Sequence, residues 1–218
     1  MPIRGSMNVS LTPELEKFVQ SRVAIPKYLL SLAGEYRVCS ELNKRGVFAT
    51  VTYGNRKDVC VYAISDAKHR ALKVEVKTSQ TRYGKFLTRV TQEFLVRHRD
   101  RNPPFGEPDN NALWKAILDD PDPQAPDFWV LFQVLPHEDG SFEERFFVLT
   151  QRELCEAQVE RNRLFNAQYT QRNRRPFDFS KGVDGVRIAD IEEYCDKNQW
   201  SKILGALDSA NPFRTRSR

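Results

Sequence analysis

The segment that most constrains the fold is a helix-forming stretch followed closely by three short apolar runs, Val47–Tyr53, Val59–Ile64 and Leu72–Thr78. Tyr53-Gly54-Asn55 and Ser65-Asp66 separate the runs, and residues of that kind make turns. The reading is a helix leading into a β-meander. From Tyr28 to Arg45 the apolar residues Leu29, Leu32, Ala33 and Tyr36 recur at helical spacing and are expected to form the helix's buried face. Lys44 and Arg45 suit its last turn, where carbonyl oxygens point outward, and Gly46 ends it.

Strand alternation sorts the third run by chemistry. Leu72, Val74 and Val76 point to one face, and Lys73, Glu75 and Lys77 to the other. A carboxylate can hold a hard divalent cation. An ammonium two residues on can orient water or steady the charge that develops on a phosphorane. Glu-x-Lys alone is a weak signal, since most such matches are surface charge. What gives it weight here is order: acidic helix, strand with an aspartate, hairpin, strand with Glu-x-Lys. In the second run Val59 and Val61 alternate into the core, while Asp58, Cys60 and Tyr62 share the opposite face. Glu35, beside the apolar stripe of the helix, is a further acidic ligand or an orienter of metal-bound water.

The rest of the chain is read as α/β. A helix is expected over Phe86–Arg97, a loop over Asn102–Asp109, a short helix over Ala112–Leu118 and a turn-rich connector over Pro121–Pro126. Phe128–Leu135 and Arg145–Thr150 read as strands, Gln151–Asn166 as a helix, Gln168–Lys181 as an Arg-rich polar loop and Ile188–Leu207 as mostly helix. The expected fold is a mixed central sheet flanked by helices, over residues 26–207. An N-terminal arm (1–25) precedes it and a basic tail (208–218) follows.

Charge and cysteine content narrow the function classes. Lys and Arg total 34 against 29 Asp and Glu, a net charge of +5, which is compatible with a nucleic-acid partner. No apolar run is long enough to span a bilayer and the N-terminus carries no secretory h-region, so a cytoplasmic protein without a membrane partner is expected. Cys39, Cys60, Cys155 and Cys195 are far apart and form no CxxC pair, which argues for reduced thiols and against a zinc centre.

Leu32-Ala33-Gly34-Glu35-Tyr36, Glu41-Leu42, Lys44-Arg45-Gly46, Ala49-Thr50, Gly54-Asn55 and Val74-Glu75-Val76-Lys77-Thr78-Ser79 together resemble a group of small bacterial PD-(D/E)XK endonuclease-like proteins. Trp129-Val130, Phe147-Val148-Leu149, Tyr194 and Asn198-Gln199-Trp200 extend the resemblance towards the C-terminus. It implies a restriction-endonuclease-like fold and metal-dependent hydrolysis of DNA phosphodiesters, with Mg2+, or Mn2+, as cofactor. Glu75, Lys77, Asp58 and Glu35 would be catalytic, and Asp58, Cys60 and Glu75 would surround the metal. One departure matters. The position at which the group carries its metal-binding aspartate aligns with Cys60, and sulfur is a soft ligand. Asp58 takes over, or Cys60 recruits a softer metal, or hydrolysis is impaired and the domain only binds DNA or a partner. Cys60 as simple core packing is a further reading.

Met7–Glu16 resembles the start of ParD-type antitoxins, whose ribbon-helix-helix fold pairs first strands in a homodimer that reads DNA. Residues 8–24 read as a short strand and a helix. Thr12 caps the helix, Pro13 stands in its first turn, and Leu15, Phe18, Val19 and Val23 form its apolar stripe. A helix docked on the domain and a dimer arm are equal alternatives, and an antitoxin-like, non-catalytic DNA-binding module is the rival functional class. Two basic groups are candidate phosphate contacts: Arg82, Lys85 and Arg89, and Arg161, Arg163, Arg172, Arg174 and Arg175 interleaved with Phe165 and Tyr169.

Overall fold

The computed structural model describes residues 26–52, 60–81, 83–99, 110–119, 125–137, 139, 141–179, 182–194 and 199–209. The expected arm, the basic tail beyond Ser209, Asn102–Asp109, Asp58, Arg82 and Cys195 lie outside the described residues.

Pro26 caps helix α1 (Lys27–Lys44), its fixed φ of −51° being suited to a helix entrance. Gly46, at φ +80°, turns the chain into β1 (Phe48–Val51). β2 (Val61–Ser65) and β3 (Arg70–Ser79) complete an antiparallel meander in which Val61 faces Val74 and Ala49 faces Ala63. The chain then leaves the sheet through β4 (Lys85–Phe86), α2 (Arg89–Arg99) and α3 (Asn110–Asp119). It returns as β5 (Phe128–Pro136), parallel to β3, and turns back as β6 (Phe142–Thr150). The result is a mixed five-stranded sheet in the order β1-β2-β3-β5-β6. β5 is buried from Phe128 to Gln133, as expected of a strand covered on both faces.

Helix α4 (Gln151–Asn173) starts at a capping box: Thr150 accepts from the Glu153 N–H, and the Glu153 carboxylate accepts from the Thr150 N–H. Two 3₁₀ turns, Ile188–Asp190 and Glu192–Tyr194, and the helix α5 (Ser201–Asp208) close the described chain. β7 (Val186–Arg187) pairs with β4 in a separate two-stranded ribbon.

Period-two alternation divides the sheet between two cores. Val74, Val76, Val130 and Val148 pack with Val38 and Leu42 of α1 and Ile203 and Leu207 of α5. Trp129, Leu131, Phe147 and Leu149 pack with Val90 and Phe94 of α2, Leu113 and Ile117 of α3, and Leu154 of α4. Among the described residues no helix is long and apolar enough to cross a membrane.

Several expectations need correction. The stripe Leu29, Leu32, Ala33, Tyr36 is not the buried face of α1; it is exposed, and Gly34, Val38, Cys39 and Leu42 are buried instead. The physical reason is Gly34. A Cβ there would lie 1.9 Å from Thr78 Oγ1 and 3.3 Å from a Phe132 ring carbon. The bare glycine lets the helix backbone settle against β3, and that contact decides which way the helix is turned. The expected helix over Phe86–Arg97 begins only at Arg89, because Lys85 and Phe86 pair with Arg187 and Val186. The loop expected from Gln168 is helical to Asn173, and α4 ends where Arg174 adopts the left-handed conformation at φ 55°. Asn166 accepts from the Phe177 N–H, and the returning chain packs Phe177 edge-on against Phe165 and Tyr169. Within Ile188–Leu207 the described residues form two 3₁₀ turns and one short helix, rather than mostly α-helix.

Candidate active site around Glu75 and Lys77

The site forms where α1 leans on the sheet beside the start of β2. Glu75 and Lys77 share a face of β3, opposite Trp129 and Leu131 of the parallel strand β5. Glu75 is 2% exposed. A buried carboxylate is tolerated only when its lone pairs are occupied, and here both oxygens are. Lys77 Nζ lies 2.9 Å from Glu75 Oε1, and the Trp129 indole N–H donates to Glu75 Oε2. Lys77 itself is about one-third exposed, so the pair runs from the buried carboxylate outward to a partly solvated ammonium.

Cys60 stands one residue before β2. Its N–H donates to the Val74 carbonyl, and its thiol contacts the Val76 carbonyl at 3.7 Å. Simple alternation does not extend to it. Cys60 packs against the core beneath α1, with Val61 and Val76, rather than following the face of Tyr62. From the helix side Glu35 hydrogen-bonds to Cys60. Gly34 brings that turn of α1 down onto Thr78, on the Val74 and Val76 face of β3. Glu35, Glu75 and Lys77 are all within electrostatic range of Cys60, but Cys60 is packed on the α1 side of the sheet with Val61 and Val76, not on the face of Glu75 and Lys77 where alternation put it; Asp58 lies outside the described residues.

The electrostatics follow from burial. Burial pushes the Glu35 carboxyl above its ordinary value, against the pull of the Cys60 hydrogen bond and the Lys77 charge. The Cys60 thiol is pushed up to about 11, by burial first and then by the Glu35 and Glu75 carboxylates. At neutral pH Cys60 is thus a protonated thiol. Magnesium, which demands near-octahedral oxygen ligation, is poorly suited by a thiol. Among the described residues no group of three His, Cys, Asp or Glu side chains is placed to hold a metal ion. The Cys60 thiol does not suit a hard divalent cation, and Asp58, the alternative ligand, lies outside the described residues.

Glu35 gives a pH-dependent expectation. Its folded pKa is raised above the unfolded value, so the native state holds that proton more tightly than the unfolded chain does. The associated stability is present in full below the unfolded value of 4.5 and is lost as pH rises through the folded value. Glu35→Gln keeps the side chain's size without its charge. The variant is expected to be more stable than the natural protein at neutral pH, with the difference closing on the acid side of 4.5. Urea midpoints measured across that range check the sign.

The basic candidates separate. Lys85 pairs with Asp184 at 3.4 Å and Arg89 with Glu93 at 3.6 Å. Arg161 is buried between Asp184 and Asp190, at 3.8 and 3.5 Å, and Arg163 pairs with Glu160. Arg161 is thus held in the interior while Arg163 is exposed, and the Phe165 and Tyr169 rings pack on Phe177. Arg172, Arg174 and Arg175 are exposed at the C-terminal end of α4. Two residues of the site escaped the sequence reading of roles. Trp129 was legible as a strand residue, but its bond to Glu75 depends on the parallel register of β5. Gly34 was part of the resemblance, and its neighbour in space, Thr78, was not readable. No family model, curated protein or solved structure matches this chain.

Proposed function

We propose that this chain is a PD-(D/E)XK-type nuclease relative with an impaired hydrolytic centre, which acts by holding DNA. The observation that carries the reading is the cluster itself. Glu75 and Lys77 sit two apart on the third strand of a meander, Glu35 reaches in from the preceding helix, and a neutral thiol stands at the position where the resemblance calls for a metal-binding aspartate. The order helix, meander, crossover, parallel strand supports the restriction-endonuclease-like fold.

A bound divalent cation supplies such centres with charge neutralisation and an activated water. The residues of this chain do something narrower. Lys77 presents a partly exposed ammonium that can meet a phosphate oxygen, and Glu75 holds it in place with Trp129 fixing the carboxylate. Arg172, Arg174 and Arg175 add an exposed cationic end to α4. Backbone contacts of this kind bind nucleic acid without reading its sequence, and they weaken steeply with salt.

The test is a binding and cleavage comparison on duplex, branched and single-stranded DNA. The expected outcome is salt-sensitive binding without metal and no cleavage above background with magnesium or manganese. A triple Arg172→Glu, Arg174→Glu, Arg175→Glu variant is expected to weaken binding by at least about tenfold. Cleavage by the natural protein that Glu75→Ala abolishes would make it an active enzyme instead. A protein that binds no nucleic acid at all would end both readings.

A further inference from the structure

Among the described residues Tyr83 is the most exposed large hydrophobic one, at 87%. A lone exposed ring is ordinary; the setting of this one is not. The turn that carries it is firmly held. The Gly84 N–H and the buried Gln133 amide both donate to the Thr81 carbonyl, and the Ile188 N–H donates to the Gly84 carbonyl. A Cβ on Gly84 would lie 2.1 Å from Ser79 Oγ, so the turn packs directly on the Ser79 side chain. Ser79 follows Lys77 by two residues on the same face of β3, about 7 Å along the strand. The backbone thus fixes an aromatic ring in solvent beside the Glu75–Lys77 pair, outside both cores.

The surface that continues from this turn is cationic. Lys85 and Arg187 face each other across the β4–β7 ribbon, both with exposed side chains. Both reach Asp184, and the buried Arg161 lies between Asp184 and Asp190. Three cations therefore meet two carboxylates. Both carboxylates are buried, so the charge presented to solvent is positive. Leu87, exposed and on the outward side of the same strand as Lys85, adds apolar surface next to them, while Phe86 is turned inward.

We propose that Tyr83 is a stacking platform for an unpaired base, and that the DNA this chain holds is single-stranded, its phosphates meeting Lys85 and Arg187. The inference rests on the DNA-holding reading and narrows it. In a duplex each base is covered by its neighbours, so a protein ring can stack only on a base that has left the helix. A ring flanked by cations is the combination that binds single strands, because every base has a π-face and every linkage a negative charge. The same charges argue against a protein partner, since the centres of protein–protein interfaces are depleted in lysine. Stacking reads no base edge, so binding is expected to tolerate changes of sequence.

Anisotropy titrations of a labelled single strand of about twelve nucleotides, and of a duplex of the same length, test the inference. The natural protein is expected to bind the single strand more tightly than the duplex. Tyr83→Ala is expected to weaken single-strand binding by about tenfold or more and to change duplex binding by less than about twofold. Tyr83→Phe keeps the ring and is expected to bind the single strand as the natural protein does. Tyr83 belongs to neither core, so these variants keep their fold. Equal single-strand binding by Tyr83→Ala and the natural protein overturns the inference and leaves the DNA-holding reading standing. Tighter binding of the duplex, or an equal loss on both forms, overturns it in the same way, because the contact is then not to an unpaired base. A loss in Tyr83→Phe as large as in Tyr83→Ala also overturns it, because the hydroxyl is then the contact. A natural protein that binds neither form overturns both readings together.

Discussion

Cys60→Asp is expected to create magnesium-dependent DNA cleavage about 100- to 1000-fold above the natural protein, equivalent to ~3–4 kcal/mol of activation barrier. The substitution turns a protonated thiol into a carboxylate between Glu35 and Glu75, the two acidic groups already raising the Cys60 pKa. Three carboxylates with Lys77 as their nearby cation repel one another until a divalent ion joins them. The same variant is therefore expected to be less stable than the natural protein without metal, and to recover stability as magnesium is added. Adding Glu75→Ala to Cys60→Asp removes a ligand and is expected to abolish the gained activity. Asp58→Ala in the natural background separates the alternatives. It leaves a thiol-impaired protein unchanged, but it silences a protein in which Asp58 already serves as ligand.

Lys77→Met is expected to destabilise the fold by about 3 kcal/mol, at the lower end of the range for breaking a buried ion pair. Glu75 is almost fully buried, so losing Lys77 leaves its charge with the Trp129 N–H as the closest remaining donor described. Lys77 is partly solvated, and water that reaches the vacated space lowers the cost. The effect runs through the stranded carboxylate, so Glu75→Gln in the same chain should recover much of the loss. A double-mutant cycle in urea gives the coupling directly. Equal stability of Lys77→Met and the natural protein would show that the pair does not hold the strand face together.

The sequence made the meander legible because its runs are short, β-branched and cleanly separated by turn residues. Glu75 and Lys77 could be placed on one face of β3 by alternation, whereas Glu35 meets Cys60, a partner that alternation had put on the other face. The orientation of α1 could not be read. Leu29, Leu32 and Tyr36 form the stronger hydrophobic pattern, yet Gly34 decides the contact, because the closest approach of a helix to a sheet belongs to the smallest residue. Period alone cannot separate a stripe that meets the sheet from one turned away from it. The continuation of α4 to Asn173 was hidden for a related reason. Gln168–Asn173 is polar, and its helix is stabilised from outside, by the Asn166–Phe177 bond and the aromatic packing of the returning chain. Likewise, the burial of Arg161 depends on Asp184 and Asp190, which arrive from distant sequence. At the site, Cys60 left the expected alternation because β2 begins only at Val61, and Trp129 became a partner of Glu75 through a register set by the crossover.

The most direct test of the proposal that a neutral thiol at a ligand position keeps a nuclease-like centre from binding its cation is a calorimetric titration of magnesium into the natural protein and into Cys60→Asp. The account predicts no saturable binding to the natural protein up to about 10 mM, and saturable binding to Cys60→Asp that Glu75→Ala removes. Saturable binding to the natural protein below about 1 mM, abolished by Asp58→Ala, would contradict it and show a complete metal centre.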